Sequence, residues 1–215
     1  MGLLITTEDF IEYIKLAAHR IAGEKDYVTK LDAATGDGDH WVNMNSGFSA
    51  IVNAEEKLKT MPIDEALEVI GMIMMNKIGG SSGILYGGAY LAAGMKMKGC
   101  ETLDEKGLYL FLVTMVEDMM QRGNARPGFK TMIDALYPAV EAYRSALDQK
   151  KDIKTLFSFV KNAAKIGAES TRNMEAVKGR ASYMAEKGVG HLDPGAVTMY
   201  FQIEALCDYF EARID

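Results

Sequence analysis

The sequence predicts an all-α fold of eight antiparallel helices, arranged as an up-and-down barrel or bundle. Apolar residues recur with the helical period along most of the chain, for example at Phe10, Ile14 and Ile21. No convincing run of alternating β-branched residues indicates a strand. The 215 residues are enough for one substantial core, so we expect a single domain over residues 1–215.

Composition narrows the class of protein. The chain is 48% apolar and 25% charged, as in an ordinary globular protein, and its net charge is −6. Because that charge repels polyanions, we expect no direct binding to nucleic acid. No apolar stretch approaches the roughly 18 residues that a membrane span requires, and the first residues do not resemble a signal peptide. Cys100 and Cys207 lie far apart without a metal-binding motif, so we expect reduced thiols and a cytoplasmic location.

Eight segments carry the helical pattern, and several have recognisable starts. A cap at Thr6 or Thr7 precedes the first helix, Pro62 precedes the third, and Asp193 followed by Pro194 marks the start of the last. The predicted helices are residues 7–28, 41–59, 63–78, 82–97, 104–122, 130–147, 152–172 and 194–212.

The links between these helices are of two kinds. Three are short and polar, as ordinary helix-to-helix turns are: KTMP, MKGCETL and DQKKD. The other four are rich in glycine and contain TGDGDH, GGSSG, RGNARPG and KGRASYMAEKGVGHLDPG. If the helices alternate up and down, these four links lie at one end, and each leads into the N-terminus of an even-numbered helix. Four helix N-termini would then converge, an arrangement that favours phosphate.

The first glycine-rich link places three carboxylates within eight residues: Asp32, Asp37 and Asp39. With Gly36 and Gly38 between them, we expect a loop that turns all three inward. Hard oxygen ligands of this kind suit Mg²⁺ or Ca²⁺, but no glutamate closes a twelve-residue EF-hand loop. Mg²⁺ held jointly by carboxylates and substrate phosphates fits better. The alternative is that the aspartates are solvated loop residues, one of which caps a helix.

The other glycine-rich links offer phosphate donors, each with a structural alternative. Ser81 and Ser82 in GGSSG can donate to a phosphate; the alternative is that this segment supplies a helix C-cap followed by a serine that caps the next helix. GNARPGFKT resembles a Walker A loop but has one residue too many and no preceding strand, so we exclude a P-loop NTPase. We interpret this segment as a flexible link with Arg126 and Lys130 near a helix start. Arg180 offers a guanidinium fork for phosphate, and His191 is a ligand, an acid–base group or a plain loop residue. Together these signals predict a site for Mg²⁺ and a nucleotide or polyphosphate at one end of the bundle.

Four segments, LDAATGDGDH followed by NM, GGSSGILYG, KTMIDAL and GRASYMAEKGVGHLDPGA, together resemble the L subunits of bacterial dihydroxyacetone kinases. The resemblance extends over nearly the whole chain and implies an eight-helix antiparallel barrel with a nucleotide at one end. It implies that Asp32, Asp37 and Asp39 bind two Mg²⁺ ions. The nucleotide-contacting positions that it implies are His40, Trp41, Val42, Asn43, Ser81, Ser82, Gly123, Met132, Arg180, Asp193, Pro194 and Gly195.

The resemblance also implies a reaction and partners. In the family, bound ADP or ATP acts as a coenzyme: an M-type subunit rephosphorylates ADP with phosphate derived from phosphoenolpyruvate. The γ-phosphoryl group then passes to dihydroxyacetone on a K subunit, so a family member is a phosphotransferase. Such transfer needs positioning and charge neutralisation, which two Mg²⁺ ions, helix N-termini and Arg180 would supply without a general base from this chain.

Two positions depart from the family pattern. Trp41 stands where a glycine is usual, and would either narrow the pocket or cover a base or a metal edge. Phe129 stands where an aspartate is usual, and the absence of that carboxylate would alter docking to a partner. Two alternatives therefore stay open: an ATP-dependent kinase component for a related ketose or sugar alcohol, and a regulatory module that binds a transcription regulator or partner subunit with little turnover.

Overall fold

The computed structural model describes residues 3–213, and over this range the chain is all-α, as predicted. No strand forms among these residues, although a single antiparallel bridge pairs Ile5 with Leu103. Two short 3-10 turns, Thr171–Asn173 and Arg180–Tyr183, precede the last helix. The α-helices in this range are α1 Thr7–Gly23, α2 Lys25–Thr35, α3 His40–Asn53, α4 Glu55–Leu58, α5 Ile63–Lys77, α6 Gly80–Lys96, α7 Glu105–Gly123, α8 Ile133–Asp148, α9 Ile153–Ser170 and α10 Pro194–Glu211.

Local sequence explains why several helices begin where they do. Thr6 and Asp9 form a capping box at the start of α1, in which each side chain binds the backbone N–H of the other residue. An aspartate caps α7, α9 and α10 in each case by accepting a backbone N–H from the first turn. The predicted cap at Asp193 and the first-turn proline at Pro194 are confirmed.

The helix boundaries differ from the prediction in three segments. The predicted helix 130–147 begins only at Ile133, so Lys130 lies in the link before it. The predicted first helix, 7–28, ends at Gly23, and α2 then runs from Lys25 to Thr35 after Glu24 leaves helical geometry. The predicted second helix, 41–59, is likewise interrupted at Ala54. Apolar periodicity does not reveal a break of one residue, and it also missed residues 29–35, whose apolar stripe is weak. The number of helices in the described range is therefore larger than eight.

The long helices contact one another in a closed order. α1 contacts α3, α3 contacts α5, the helices from α5 to α10 contact one another in sequence, and α10 returns to α1. α2 packs on α3 and α10. Thr7 Oγ1 donates to Met61 O (2.8 Å), and Ile5 pairs with Leu103, so two of the plain links lie together beside the start of α1.

The core contains apolar side chains from all the helices α1 to α10. Edge-to-face aromatic contacts link α1, α7 and α6 in the core. The ring centroids of Phe10 and Phe111 are 5.2 Å apart, and those of Phe111 and Tyr90 are 5.6 Å apart. The approach of α5 to α6 depends on glycine, because a Cβ at Gly71 would lie 2.7 Å from Gly87 O. No helix within residues 3–213 has the length and apolar character that a membrane crossing requires.

Candidate functional site

The four glycine-rich links, now residues 36–39, 78–79, 124–132 and 171–193, are joined to one another by direct contacts. The start of α3 contacts the second link where Asn43 Oδ1 accepts a hydrogen bond from Gly79 N–H (3.2 Å). The first link contacts the fourth where Arg180 Nη2 lies 2.5 Å from Asp37 Oδ2. These contacts bring together links that the alternation of the helices predicted to share one end.

The third link is joined to the fourth at several points. Lys130 has a buried side chain whose Nζ donates to Thr171 O and His191 O, at 2.5 Å each. The backbone N–H of Val177 donates to Phe129 O (3.2 Å). The fourth link is therefore held against the third at both of its ends and near its middle.

Three aspartates form the candidate metal cluster. Asp32, Asp37 and Asp39 can each present a carboxylate oxygen within 4.8 Å of the others. Asp37 and Asp39 are exposed and lie in the loop after α2, as predicted. The loop prediction is wrong for Asp32, which is buried in the last turn of α2 because that helix continues to Thr35. Asp32 Oδ2 accepts the backbone N–H of His40 (2.9 Å), which ties the end of α2 to the start of α3.

The donor set fits a hard divalent cation. Mg²⁺ binds oxygen ligands at about 2.1 Å, so ligand atoms on one ion are about 3 Å apart when adjacent and about 4.2 Å apart when opposite. The three aspartate oxygens lie within 4.8 Å of one another, so the cluster is close to this size. Burial raises the pKa of Asp39, a hydrogen bond from Asn43 opposes the shift, and the charges of Asp37 and Asp32 add to it. A cation would relieve the repulsion among the three carboxylates.

The first two residues of α3 have structural partners. Burial lowers the pKa of His40 to about 4, so its imidazole is neutral at neutral pH, and its Nε2 lies 2.8 Å from Thr198 Oγ1 in α10. Trp41 Nε1 donates to Ile21 O (2.8 Å), and the Lys25 ammonium lies 5.2 Å from the centre of the indole ring. The bulk of Trp41 is thereby accommodated against α1 and α2.

The second link turns sharply into α6. Gly80 has a φ of +65°, a left-handed conformation that glycine adopts without strain, and α6 begins there without a side-chain cap. The capping alternative for Ser81 and Ser82 is therefore wrong. Both serines lie in the first turn of α6, where Ser81 is exposed and Ser82 is half-buried. A Cβ at Gly83 would lie 2.1 Å from Ile78 O, so this turn requires glycine.

The third link is fixed by a carboxylate. Asp134 accepts two backbone N–H groups of the link, at 2.5 and 2.8 Å, so residues 128–131 form an ordered turn rather than the flexible segment that the sequence suggested. Gly123 is the last residue of α7, and Met132 immediately precedes α8 with only 8% of its surface exposed. Met132 also meets the start of α10, since a Cβ at Gly195 would lie 3.6 Å from Met132 N.

The fourth link carries Arg180 near its middle and Asp193 at its end. Asp193 Oδ2 accepts Ala196 N–H (2.7 Å) at the N-terminus of α10, which begins at Pro194. Burial raises the pKa of Asp193 to about 7, although the hydrogen bond from Ala196 and the charge of Lys130 act in the opposite direction. Val42, in the first turn of α3 and three residues after Asp39, is 57% exposed.

Some residues of the site were not identified from the sequence. Asp134 and Thr198 were missed, and Lys130 was treated as part of a flexible link. The spacing of Thr131 and Asp134 is that of a side-chain-stabilised turn and could have revealed Asp134. The contact between His40 and Thr198 joins residues 158 positions apart, and one sequence carries no signal for it.

The chain belongs to the DAK2-domain family, whose model matches residues 34–208. Its relatives include the ADP-binding subunit DhaL of the PEP-dependent dihydroxyacetone kinase of Escherichia coli, which is 36% identical over 85% of this chain and 87% of that protein. The ADP-binding subunit DhaL of the PTS-dependent dihydroxyacetone kinase of Lactococcus lactis is 33% identical over 95% of this chain and 98% of that protein. Human triokinase/FMN cyclase is 30% identical over 89% of this chain, which spans 33% of that enzyme.

Solved structures agree with this family. The native dihydroxyacetone kinase of C. freundii superposes with a TM-score of 0.71 at 28% identity, covering 92% of this chain and 34% of the kinase. The same kinase in complex with AMP-PNP and Mg²⁺ gives a TM-score of 0.70 at 25% identity over 92% of this chain and 33% of the kinase. This chain thus spans about a third of that longer protein. The resemblance that the four motifs indicated is confirmed.

Proposed function

We propose that this chain is the ADP/ATP-binding, phosphoryl-transferring subunit of a dihydroxyacetone kinase and acts as a single domain over residues 1–215 in the cytoplasm. The observation that carries the proposal is the set of four joined links around Asp32, Asp37 and Asp39. The relatives named DhaL are described as ADP-binding subunits, and the chain matches them over nearly their whole length. The likeness to a kinase solved with AMP-PNP and Mg²⁺ supports the same class of ligand.

In this proposal the three aspartates hold Mg²⁺, as two ions in the arrangement that the family resemblance implies. When bound, the metal supplies charge neutralisation at the phosphate oxygens. Asp32 is oriented by the His40 N–H and Asp37 by Arg180, so two of the three carboxylates are already held in place by partners. His40 would act through this backbone bond, since its imidazole is neutral and directed to Thr198.

The nucleotide would lie across the same links. The N-termini of α6 and α10 and the hydroxyls of Ser81 and Ser82 would donate to phosphate oxygens, and Arg180 would add a positive charge. The contact positions proposed are His40, Trp41, Val42, Asn43, Ser81, Ser82, Gly123, Met132, Arg180, Asp193, Pro194 and Gly195. The arrangement offers positioning and charge stabilisation, and we propose that any base acting on the acceptor belongs to the partner subunit.

The proposed partners follow from this division of work. A K subunit would carry dihydroxyacetone, and an M-type subunit would rephosphorylate the bound ADP. A second candidate is an ATP-dependent kinase component that exchanges its nucleotide freely. The similarity to human triokinase/FMN cyclase and to the C. freundii kinase, both much longer chains, favours this second candidate. The match to separate subunits over 87% and 98% of their length favours the first.

A transfer experiment distinguishes the two candidates. The chain loaded with ADP and Mg²⁺ is mixed with a radiolabelled, phosphorylated M-type donor, and label on the nucleotide and on dihydroxyacetone is followed after a K subunit is added. The first candidate predicts labelled ATP on the chain and then labelled product, with both lost in EDTA. Labelled product from free ATP alone would support the second candidate. Absence of Mg²⁺-dependent nucleotide binding would refute both.

A further inference from the structure

Lys130 is a buried cation that has no assigned role in the proposed reaction. Its side chain is 2% exposed, and its ammonium donates to the carbonyl oxygens of Thr171 and His191. Thr171 opens the fourth link, and His191 lies two residues before its end. One ammonium group therefore bridges the two ends of the segment that carries Arg180.

The turn that carries Lys130 has an uncommon backbone conformation. Its φ is +61°, a left-handed conformation that residues with a Cβ rarely adopt. Asp134 holds the turn by accepting the N–H groups of Gly128 and Thr131 on either side of Lys130. Burial lowers the pKa of Lys130, and the charges of Asp193 and Asp134 oppose that shift. The turn is thus built around a lysine that points into the protein.

Residues 171–172 and 190–193, where the chain enters and leaves the fourth link, form what we call the base of the link. Two further hydrogen bonds join these residues beside the ammonium. Asp193 N–H donates to Thr171 Oγ1 (3.0 Å), and Gly190 N–H donates to Arg172 O (2.8 Å). The residues that enter and leave the link are therefore joined directly. Asp193 is one member of this base and also caps α10, so the geometry of the base sets the position of its carboxylate.

The stem of Lys130 packs under the body of the link. A Cβ at Gly188 would lie 3.1 Å from Lys130 Cε, 3.2 Å from Ala181 Cβ and 3.3 Å from Thr35 Cγ2. Gly188 therefore lies where the lysine stem, the turn that carries Arg180 and the end of α2 meet. Because α2 also carries Asp32, the packing places the link against the metal cluster.

We propose that Lys130 is a positioning residue of the nucleotide site: its ammonium closes the base of the fourth link and so fixes where Arg180 and Asp193 lie. The inference rests on the proposed function, which assigns those two residues to the nucleotide. A lysine suits the task because a compact ammonium with three donors can serve carbonyl groups that approach from different directions. Methionine would fill a similar space but would take this donor away from the carbonyl groups of Thr171 and His191.

The test compares Lys130→Met with Lys187→Met in the complete chain. Lys187 is an exposed lysine of the same link that pairs with Glu175 (3.0 Å), so its loss removes the same charge without touching the base. Hydrogen exchange is measured by mass spectrometry, and Mg–ADP affinity by calorimetry. Hydrogen bonds to a charged group are typically worth about a factor of ten or more. Lys130→Met should therefore accelerate exchange in residues 172–192 by about tenfold or more, and weaken Mg–ADP binding by a similar factor.

Several outcomes would decide the matter. Equal exchange in the fourth link and equal Mg–ADP affinity in Lys130→Met and wild type would overturn the proposal. The proposal would also be overturned if exchange became faster in all helices while the folded protein kept its Mg–ADP affinity. In that case Lys130 would contribute to stability and not to the position of the nucleotide site. If Lys130→Met does not fold, Thr171→Val opens the same base by removing the acceptor of Asp193 N–H (3.0 Å), and it should give the same local acceleration and loss of affinity. If the wild-type chain binds no Mg–ADP, the proposed function itself fails, whatever the exchange rates show.

Discussion

The two kinds of aspartate in the cluster should respond differently to the same substitution. Asp37→Asn removes an exposed loop carboxylate whose partner in the structure is the exposed Arg180. Asp32→Asn instead alters a buried carboxylate that accepts the His40 N–H at 2.9 Å. We expect Asp37→Asn to reduce ligand binding with little change in stability, and Asp32→Asn to reduce both.

The magnitudes follow from the contacts. Exposed ion pairs contribute about 0.2–1 kcal/mol, and losing Asp37 also relieves repulsion of Asp39, so the free energy of unfolding should change by less than about 1 kcal/mol. In Asp32→Asn the amide oxygen can still accept the His40 N–H, but the bond is no longer made to a charged group, which costs about 1–1.5 kcal/mol. For a chain of this length, each kcal/mol shifts Tm by about 2–4 °C. Changes around metal ligands cost about 10–100-fold in metal affinity, so loss of a direct ligand should cost at least about tenfold in both variants.

The assay is thermal unfolding followed by circular dichroism, with and without Mg²⁺ and ADP, supported by calorimetric titration. Glu101→Gln serves as a control, because it removes one negative charge from an exposed residue of a plain link. Wild type and the control should gain Tm with Mg–ADP, and both aspartate variants should lose that gain. Full Mg²⁺-dependent stabilisation of Asp37→Asn would refute the assignment of Asp37 as a metal ligand. Normal Mg–ADP binding by Asp32→Asn would refute the assignment of Asp32 as a metal ligand, and unchanged stability would refute a charge-assisted Asp32–His40 bond.

Further predictions concern packing and pH. Trp41→Phe removes the bond to Ile21 O and should cost about 0.5–1.5 kcal/mol of stability in urea titrations; unchanged stability would contradict the role of this bond. Gly83→Ala should cost about 1–3 kcal/mol, because the new Cβ would meet Ile78 O at 2.1 Å; unchanged stability would contradict this geometry. The pKa of Asp193 is about 7 when folded and about 3.9 when unfolded, so its protonated form adds stability that is complete below about pH 4 and is lost as pH rises through 7. The stability lost between these pH values should be less than the ~4 kcal/mol of a three-unit shift, because Asp193 keeps some exposed surface. Asp193→Asn should therefore flatten the dependence of the free energy of unfolding on pH, measured by urea titration between pH 4 and 7.

The sequence predicted the class of fold well because apolar periodicity is a local property. The stripe through Phe10 and Ile14, and the cap and proline at Asp193 and Pro194, are visible in a few residues and are confirmed. The break at Glu24 was missed because one residue that leaves helical geometry barely disturbs the pattern. Because the helix after this break was missed, Asp32 was predicted to lie in a loop, whereas it lies in the last turn of α2.

The sequence predicted which links form the candidate site, but it did not predict the buried contacts that hold those links in place. The alternation of plain and glycine-rich links predicted which segments would meet, and contacts such as Asn43 with Gly79 are of that kind. The burial of Lys130 and the bond between His40 and Thr198 depend on residues distant in the chain. A single sequence shows a lysine in a glycine-rich link and gives no means of deciding whether it faces solvent or the base of another link.

The central claim is that this chain holds a nucleotide through Mg²⁺ at the joined links. The most direct measurement is native mass spectrometry of freshly purified protein kept in Mg²⁺, followed by analysis of the nucleotide released on denaturation. The proposal predicts ADP at close to one molecule per chain, and its loss when the protein is treated with EDTA. Protein that carries no nucleotide and takes up neither ADP nor ATP in Mg²⁺ would contradict it.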